Sequence, residues 1–374
     1  MVCRIRVGVA RADNEAPYGA DSYPEEERPL NQLIDAACRN HGWTVRPATW
    51  NDIDRIVDLH NASFRSLVGA DEITPQHVRS WFEWPGTDLD RDTRLVFDNG
   101  GRTIAWAALY DPEPPYVSNF YDIVVHPDVR ANNALWGTLI DWCEARAVSC
   151  IQLAEKGVRV NGCARGDASD VHRDGALLRG GFHVTRTNTL MRIGLDAPIE
   201  KPAWPKGIRI QSFDLQRHLL RFAAAHQEAF RDHWGHVEQP LEAHAEELRR
   251  EFTSWDDSFR SDLWFLAMDG SELAGATGIY PHIGGDYRRA YIYHVFVRRR
   301  WRGKGLAKAL LRRAFREAVD RGYGSCELHV DSENFTGAGR LYEAVGMRAV
   351  RVTNLYEKQL RPGRDTVTRS LPDT

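Results

Sequence analysis

The residues most suited to chemistry in this chain are 302–307, which read RGKGLA and lie between an apolar run at 291–297 and a helical pattern. A strand that ends in a small-residue turn and then opens a helix points several main-chain N–H groups at one spot, where the helix dipole adds positive charge. The two glycines leave room for a ligand to touch the main chain, and the arginine and lysine supply counter-charge. The pattern predicts a phosphate-binding turn.

The spacing of this turn separates three kinds of glycine-rich loop. A Walker loop needs G-x-x-x-x-G-K-[ST], and a dinucleotide fingerprint needs G-x-G-x-x-G with a later acidic residue, so neither fits. The run resembles the Q/R-x-x-G-x-G/A signature of the GNAT acetyltransferase superfamily, whose loop holds the pyrophosphate of acetyl-CoA. A basic helix start whose glycines serve only the turn is the alternative. The resemblance implies acetyl-CoA contacts from Val295, Phe296, Val297, Arg302, Gly303, Lys304, Gly305, Leu306 and Ala307.

A second motif lies downstream, after an amphipathic helix that ends at Gly322 and a strand at 325–330. Residues 331–347 read DSENFTGAGRLYEAVGM and resemble the GNAT segment D-x-x-N-x-x-A-x-x-L-Y-x-x-x-G-F, with methionine in the last place. Two motifs in this order favour a GNAT domain over 208–360. The resemblance gives Asn334 a role in orienting the cofactor or the helix start, and a plain Asx turn is the alternative.

The length of 374 residues, with 43% apolar residues, suits two domains. The second half repeats the first: a short strand and a helix closing on H-x-x-x-F at 44–64 parallel those at 208–230, and a hairpin follows in each half. The predicted fold class is α/β in α+β layers, with two tandem GNAT folds, each a mixed central sheet flanked by helices. The predicted parts are a mobile leader (1–43) with one short helix near 30–38, a degenerate N-terminal GNAT domain (44–195), a proline-rich linker (196–207), a catalytic C-terminal GNAT domain (208–360) and a tail (361–374).

The two halves differ where the chemistry would lie. After Arg130, the counterpart of Arg302, the first half reads ANNAL instead of GKGLA. The expectation is that Leu135 takes the place of the final small residue and that its side chain fills the space of a pyrophosphate. Leu177 stands where the second half has Tyr342. We therefore expect no acetyl-CoA site in the first half.

Composition narrows the class of protein further. The net charge is −3 with both signs mixed, so nucleic acid is not an expected partner. No run of 18 apolar residues occurs, and the start of the chain lacks the apolar region of a signal peptide, so the expected location is the cytoplasm and no membrane partner is expected. The six cysteines form no C-x-x-C pair, which argues against a zinc site or a disulfide framework, so no metal is predicted. A monomer and a homodimer are both compatible with the sequence.

Acyl transfer from a thioester to an amine requires that an ammonium lose a proton, that an oxyanion be stabilised and that a thiolate gain a proton. By resemblance, the strand before the loop splays from its neighbour and offers free N–H groups near 295–297 to the thioester carbonyl. Tyr342 is at the position from which the family gives a proton to the CoA sulfur. A phenol, with an ordinary pKa of about 10, stays protonated where a thiol of about 8.5 ionises. A tyrosine that serves only the core is the alternative.

The general base is less well determined by the sequence. His294 lies on the strand beside the thioester donors, and imidazole is suited to relaying a proton near neutral pH. Strand alternation places Tyr291, Tyr293 and Val295 on one face and His294 with its even-numbered neighbours on the other. If His294 is buried and satisfied, its role is structural, and Tyr291 or Tyr293 with a water chain is the alternative base.

An acceptor-binding loop is expected after the first helix of the second half. His233, Trp234 and His236 stand there, and two histidines and an indole can stack on and hydrogen-bond a polar acceptor. Tyr293 is predicted to face the same acceptor. An ordinary surface loop is the alternative. Glutamates nearby would attract a cationic amine, although on a helix they more often form a solvated face.

The predicted function is acetyl-CoA-dependent N-acetylation of a primary amine of a small molecule, by direct attack in a ternary complex, with catalysis in the C-terminal half. Two tandem GNAT copies with catalysis in the second also resemble the mycothiol synthases, which acetylate a cysteinyl metabolite. Those enzymes carry a glutamate where this chain has Tyr291. A sensor or scaffold that binds acyl-CoA without turnover is the third possibility.

Overall fold

The computed structural model describes residues 28–84, 86–110, 116–231, 239–253, 260–281, 288–331 and 338–365. The helices in this part of the chain are α1 (Arg28–Arg39), α2 (Ile53–Val68), α3 (Pro75–Phe82), α4 (Leu89–Asp92), α5 (Asn133–Cys150), α6 (Val171–Arg179), α7 (Leu215–Phe230), α8 (Leu241–Thr253), α9 (Leu306–Asp320) and α10 (Ala338–Glu343). The strands are β1 (Thr44–Arg46), β2 (Thr93–Phe97), β3 (Thr103–Tyr110), β4 (Ser118–Val125), β5 (Val160–Asp167), β6 (His183–Gly194), β7 (Ile208–Ser212), β8 (Trp264–Asp269), β9 (Glu272–Pro281), β10 (Arg289–Val297), β11 (Ser325–Asp331) and β12 (Arg348–Arg361). Among these residues, no helix is both long and apolar enough to span a bilayer.

The described residues divide into two compact units. Unit 1 contains 28–187 and 352–365, and unit 2 contains 188–351. The strand order is β1-β2-β3-β4-β5-β12 in unit 1 and β6-β11-β10-β9-β8-β7 in unit 2. These two units divide the chain after residues 187 and 351, whereas the sequence predicted domains at 44–195 and 208–360. The predicted domain bounds stay a prediction.

Both units are built on the same plan. Each sheet is antiparallel except for one parallel pair, β4 with β5 in unit 1 and β10 with β11 in unit 2. The hairpins expected from the sequence are β2–β3 and β8–β9. A mixed sheet flanked by helices in each unit confirms the predicted fold class, and the repeat in the sequence is a repeat in structure.

Aromatic side chains fill the core of unit 2. Phe213, Phe222, Phe252 and Trp264 are fully buried and contact one another at ring-centroid distances of 4.8–6.0 Å. Edge-to-face and tilted contacts of this kind add to the stabilisation from burial alone. This core packs against β10, the strand that carries the predicted catalytic residue His294.

The core of unit 1 includes part of the segment predicted to be mobile. Ile34 and Cys38 of α1 are buried in the same cluster as Trp136 and Leu139 of α5. These two side chains of α1 pack with α5, so the predicted short helix near 30–38 is present and belongs to unit 1. Residues 1–27 and 366–374 lie outside the described part of the chain.

Gly278 lies where β9 passes closest to its neighbours. It stands opposite His294 of β10 on one side and Trp264 of β8 on the other. A Cβ atom at this position would lie 2.3 Å from Cδ2 of Trp264. A side chain here would therefore push the indole out of the core.

We predict that Gly278→Ala lowers the free energy of unfolding by about 1–3 kcal/mol, the usual cost of overpacking a core. The matched control is Gly137→Ala, since Gly137 is inside α5 and nothing lies within 4 Å of its Cβ position. That change should raise the free energy by about 0.5–1 kcal/mol through helix propensity. Urea unfolding followed by circular dichroism measures both, and equal midpoints for the two variants would contradict the packing described here.

Candidate active site

The turn between β10 and α9 has the geometry of an anion site. Gly303 and Gly305 have φ of +74° and +82°, and open space surrounds their Cβ positions. Gly305 is the N-cap of α9 and brings no capping side chain. Within the described part of the chain, no main-chain N–H of residues 303–308 donates to a main-chain carbonyl, and the first bond of the helix runs from Ala309 N to Gly305 O at 3.1 Å. These N–H groups and the dipole of α9 favour a phosphate.

The charged residues of the turn have two different roles. Arg302 Nε donates to Val297 O at 3.0 Å and its Nη2 donates to Ala229 O at 2.9 Å. It therefore ties the turn to β10 and α7, a bracing role in addition to the counter-charge expected of it. Lys304 and Lys308 are exposed, and neither forms an ion pair with a described residue, so they are the candidate phosphate partners. Lys308 was missed in the sequence, although it lies one helical turn after Lys304.

The remaining predicted loop residues contribute through the main chain. Leu306 is buried in the core with Trp301 and Leu310, and Ala307 is half-buried. Phe296 is also buried, whereas Val295 and Val297 are half-buried. A ligand at this turn would meet their peptide groups more than their side chains.

The strand before the turn separates from its neighbour. The parallel register of β10 with β11 ends at Tyr291 and Glu327, while β10 continues along β9 as far as Val297 and β11 continues along β6. A bulge in β10 interrupts its pairing with β9 between Ile292 and His294. Alternate residues of an antiparallel strand turn their N–H and C=O groups to the other side, which here is the side of the gap. The predicted splay is therefore present, and it turns main-chain groups of β10 toward the gap, where a thioester carbonyl and a pantetheine arm would lie.

Tyr342 lies on α10 and packs in the core of unit 2 with Met347 and Leu328. Burial raises the pKa of its phenol to about 12. The hydroxyl group makes no hydrogen bond to any other described residue. A phenol in this state keeps its proton at neutral pH and is therefore present as a proton donor.

His294 is buried, and both of its ring nitrogens are engaged. Its Nδ1 lies 3.2 Å from His226 Nε2, and its Nε2 lies 3.1 Å from Glu251 Oε1. His294 is therefore buried and satisfied, and neither nitrogen is open to an acceptor amine, so the prediction that it is the general base was wrong. His226, His244 and Glu251 were missed in the sequence. The polar positions 244, 247 and 251, spaced i, i+3 and i+7 on the buried face of an amphipathic helix, are the signal that would have found two of them.

The two tyrosines named as alternative bases lie on β10. Tyr291 is buried, and its Oη lies 2.7 Å from His329 Nδ1 on β11, across the start of the splay. Tyr293 is half-buried at the bulge, and its ring lies 5.4 Å from that of Tyr280. His233, Trp234, His236 and Asn334 lie outside the described residues.

The corresponding turn of unit 1 is closed by its own side chains. Asn132 is the N-cap of α5, and its Oδ1 accepts from the N–H of Leu135 at 3.0 Å. Arg130 turns inward, where its Nη2 donates to Ser63 Oγ at 2.7 Å. A side-chain cap of this kind satisfies the amide that an anion would need.

The sequence interpretation of Leu135 was wrong. The buried positions 135, 139, 140, 143 and 147 of α5 match 306, 310, 311, 314 and 318 of α9. Leu135 therefore corresponds to Leu306 and lies in the core of unit 1. Four residues separate Arg130 from Leu135, whereas three separate Arg302 from Leu306, so the loop is one residue longer and the simple alignment slips.

A second difference lies in the gap between the splayed strands. The turn after Leu177, with Phe182 N donating to Leu177 O at 3.0 Å, repeats the turn after Tyr342, with Met347 N donating to Tyr342 O at 3.0 Å. This register pairs Arg173 of α6 with Ala338 of α10. The guanidinium of Arg173 donates to Ile123 O on β4, the counterpart of Val295. The arginine thus reaches a carbonyl of the splayed strand in unit 1, whereas the matching residue of unit 2 is an alanine, whose side chain is too short to do so.

Among the described residues, no cluster of His, Cys, Asp or Glu is arranged to hold a metal ion. Five cysteines in this part of the chain are buried free thiols. Burial raises the pKa of the Cys326 thiol and of the Cys38 thiol, the latter to about 11, so both are poor nucleophiles.

Comparison with known proteins agrees with this geometry. The model of the acetyltransferase (GNAT) family matches residues 222–347. A mycothiol acetyltransferase of Thermobispora bispora is 30% identical over 269 residues, which are 71% of this chain and 83% of that protein. A mycothiol acetyltransferase of Streptomyces coelicolor is 28% identical over 331 residues, which are 84% of this chain and 98% of that protein.

Two solved structures share the fold. A GCN5-related N-acetyltransferase from Sphaerobacter thermophilus has a TM-score of 0.73 at 27% identity, over 88% of this chain and 98% of that one. A tandem GNAT protein from the clavulanic acid biosynthesis pathway has a TM-score of 0.64 at 17% identity, over 86% of this chain and all of that one. The chain belongs to the GNAT acetyltransferase family and is an acyltransferase. Within that family it is a tandem member similar to the mycothiol acetyltransferases.

We predict that the full chain binds one coenzyme A, because the unit 1 turn is capped and its strand gap is filled. Ala338→Arg should abolish this binding by placing in unit 2 the side chain that fills unit 1. Isothermal titration with coenzyme A measures stoichiometry and affinity.

The matched control for this prediction is Gly339→Arg, which adds the same charge at the next residue, where nothing lies within 4 Å of the Cβ position. It should retain binding. Two bound coenzyme A molecules per chain, or full affinity in Ala338→Arg, would contradict the assignment.

Proposed function

We propose that unit 2 catalyses transfer of an acetyl group from acetyl-CoA to a primary amine of a small molecule, by direct attack within a ternary complex. The observation that carries the proposal is the set of main-chain N–H groups at 303–308 beside the splayed end of β10. In unit 1 the corresponding turn and gap are closed by Asn132 and Arg173. Unit 1 is then a degenerate copy with a supporting role.

The residues of unit 2 fit acetyl-CoA, the acetyl donor of this family. The diphosphate would lie against the N–H groups of the turn with Lys304 and Lys308, and the pantetheine arm would follow the gap beside β10. Acetyl-CoA supplies the acetyl group as a thioester. The peptide N–H groups of β10 beyond the bulge would face the thioester carbonyl oxygen, where they stabilise the negative charge that develops on attack.

Overall, the reaction converts an ammonium and a thioester into an amide and a thiol, and it releases one proton to solvent. The ammonium of the acceptor first loses a proton to a base, and the amine nitrogen then bonds to the acetyl carbon. The carbon–sulfur bond breaks with its electron pair on sulfur, which takes the phenolic proton of Tyr342. The phenolate regains a proton from the acylated nitrogen, and the proton held by the base passes to solvent.

A more specific acceptor is favoured by one observation, since the relatives described above are named mycothiol acetyltransferases. The second candidate is therefore acetylation of the amine of a cysteinyl metabolite. This chain has Tyr291 where the resemblance would place a glutamate, so the base for either acceptor must come from another residue. Family membership removes the reason to retain a non-catalytic sensor.

A panel of primary amines tests the acceptor. The full chain is incubated with acetyl-CoA and, separately, a polyamine, an aminoglycoside, an amino acid amide and a cysteine amide of glucosamine, with mass spectrometry of each product. We expect an acetyl adduct on nitrogen with at least one of them. Acetylation confined to the cysteine amide would select the second candidate, and no adduct with any amine despite coenzyme A binding would contradict the proposed function.

We predict that Tyr342→Phe lowers kcat by about 10²–10⁴-fold, the usual contribution of a general acid, and leaves the affinity for coenzyme A unchanged. Because the folded pKa of Tyr342 is raised to about 12, the alkaline fall in kcat should lie near that pH and not near the ordinary tyrosine value of about 10. Leu341→Phe is the control for a neighbouring change of volume. Equal kcat in Tyr342→Phe and the unaltered protein would remove the phenol from the mechanism.

A further inference from the structure

Three histidines of unit 2 form a continuous hydrogen-bonded chain. His244 Nε2 lies 3.1 Å from His226 Nδ1, and His226 Nε2 lies 3.2 Å from His294 Nδ1. At one end His294 Nε2 lies 3.1 Å from Glu251 Oε1. At the other end Gln239 Nε2 lies 3.0 Å from His244 Nδ1. The chain joins β10, α7 and α8 and ends on a carboxylate in contact with a β10 side chain.

The direction of every hydrogen bond in the chain follows from one contact. The amide of Gln239 lies 2.7 Å from Glu247 Oε2, so the group that faces this carboxylate must be the NH₂. The second N–H of that NH₂ points to His244 Nδ1, which must accept. His244 therefore donates from Nε2 to His226, and His226 donates from Nε2 to His294. His294 in turn donates from Nε2 to Glu251, so three neutral imidazoles all point their N–H bonds toward one carboxylate.

The chain is enclosed by aromatic side chains. The His226 ring stacks on Phe230 at 4.3 Å and contacts Phe222 and Phe296, and the His294 ring lies 5.5 Å from Trp264. In so apolar an enclosure, aligned hydrogen bonds strengthen one another.

Among the described residues, few titratable groups face this chain of three histidines. Those on the elements packed against it are Glu247 and Glu251 of α8, Tyr280 of β9 and Tyr293 of β10. Burial next to Glu251 raises the pKa of Tyr280, so that phenol stays neutral. The carboxylate of Glu251, whose side chain is 13% exposed, is the charged group that the chain supports beside β10.

We propose, resting on the proposed function, that Glu251 is the general base of the acetyl transfer and that His294, His226 and His244 are positioning residues that hold its carboxylate ionised and oriented. The ammonium of the acceptor gives one proton to Glu251, which leaves the amine lone pair free to bond to the acetyl carbon. After the carbon–sulfur bond breaks, the proton on Glu251 passes to solvent. No imidazole changes its charge in this scheme.

The placement of Glu251 accounts for two features of unit 2. Position 291 holds a tyrosine whose hydroxyl is engaged with His329, so the strand itself brings no carboxylate there. The helix α8 provides one instead, and His294 fixes it next to the bulge of β10. His294 cannot act on the amine itself, because hydrogen bonds occupy both ring nitrogens.

The kinetic test uses S-methylcysteine amide as the amine probe and follows thiol release from acetyl-CoA against pH. Glu251→Gln keeps an oxygen that accepts from His294 and should lower kcat by about 10²–10⁴-fold, with the affinity for coenzyme A unchanged. His226→Phe keeps a ring beside Phe230 but breaks the chain. It should lower kcat and move the acidic limb of the rate profile to higher pH, because the carboxylate loses support for its charged form.

Two further variants separate positioning from packing. His226→Gln restores one donor and one acceptor and should recover part of the lost rate. His60→Phe is the matched control, since His60 is the buried counterpart of His226 in the H-x-x-x-F segment of unit 1, and it should leave both the rate and the pH profile unchanged. A His226→Phe variant that unfolds at lower temperature but keeps the profile of the unaltered protein would show a merely structural chain.

Imidazole ¹⁵N NMR of the full chain labelled at histidine gives a readout that needs no turnover. We expect His226, His244 and His294 to be neutral, each with its proton on Nε2. A cationic ring, or a proton on Nδ1 of any of the three histidines, would contradict the hydrogen-bond directions assigned to them. No thiol release by the unaltered protein with any amine would overturn the proposed function, whereas turnover that survives Glu251→Gln would overturn the base alone.

Discussion

The site of unit 2 depends on main-chain N–H groups that helices and sheets leave without hydrogen-bond partners. The start of any helix has such groups, and a strand that parts from its neighbour creates more. In unit 2 the two sets lie at the opposite ends of one short stretch, where β10 leaves β11 and then turns into α9. An elongated ligand with a diphosphate and an amide-rich arm matches that arrangement, whereas an isolated anion would use only half of it.

The comparison of the two units shows how little has to change to close such a site. Unit 1 keeps the sheet order and the parallel pair, although its parallel strands stay paired two residues farther, as far as Tyr121 and Ala164. One asparagine caps the helix from within, and one arginine extends to a carbonyl of the splayed strand. Both substitutions satisfy backbone groups that a ligand would otherwise meet, so the same fold becomes a closed, self-satisfied copy.

The sequence was sufficient to predict features that depend on local spacing. The glycine turn, the helix after it, the hairpins and the position of Tyr342 all follow from short motifs and from hydrophobic periodicity. It did not reveal the chain of His226, His244, His294 and Glu251, because these residues come from three elements and only folding brings them together. It misplaced Leu135 because one extra loop residue shifts the register without leaving a mark in the pattern. Arg173 was not singled out, since its importance depends on the alanine at the corresponding position of unit 2.

Among the described residues, the turn and the splayed strand of unit 2 present peptide groups to a diphosphate and to the arm attached to it, and the matching turn of unit 1 is capped. A crystal structure of the full chain with bound coenzyme A tests this most directly. We expect the diphosphate against the N–H groups of 303–308 and the arm beside β10, with the turn at 131–135 free of ligand. Density for coenzyme A at the turn of unit 1, or none at the start of α9, would contradict it.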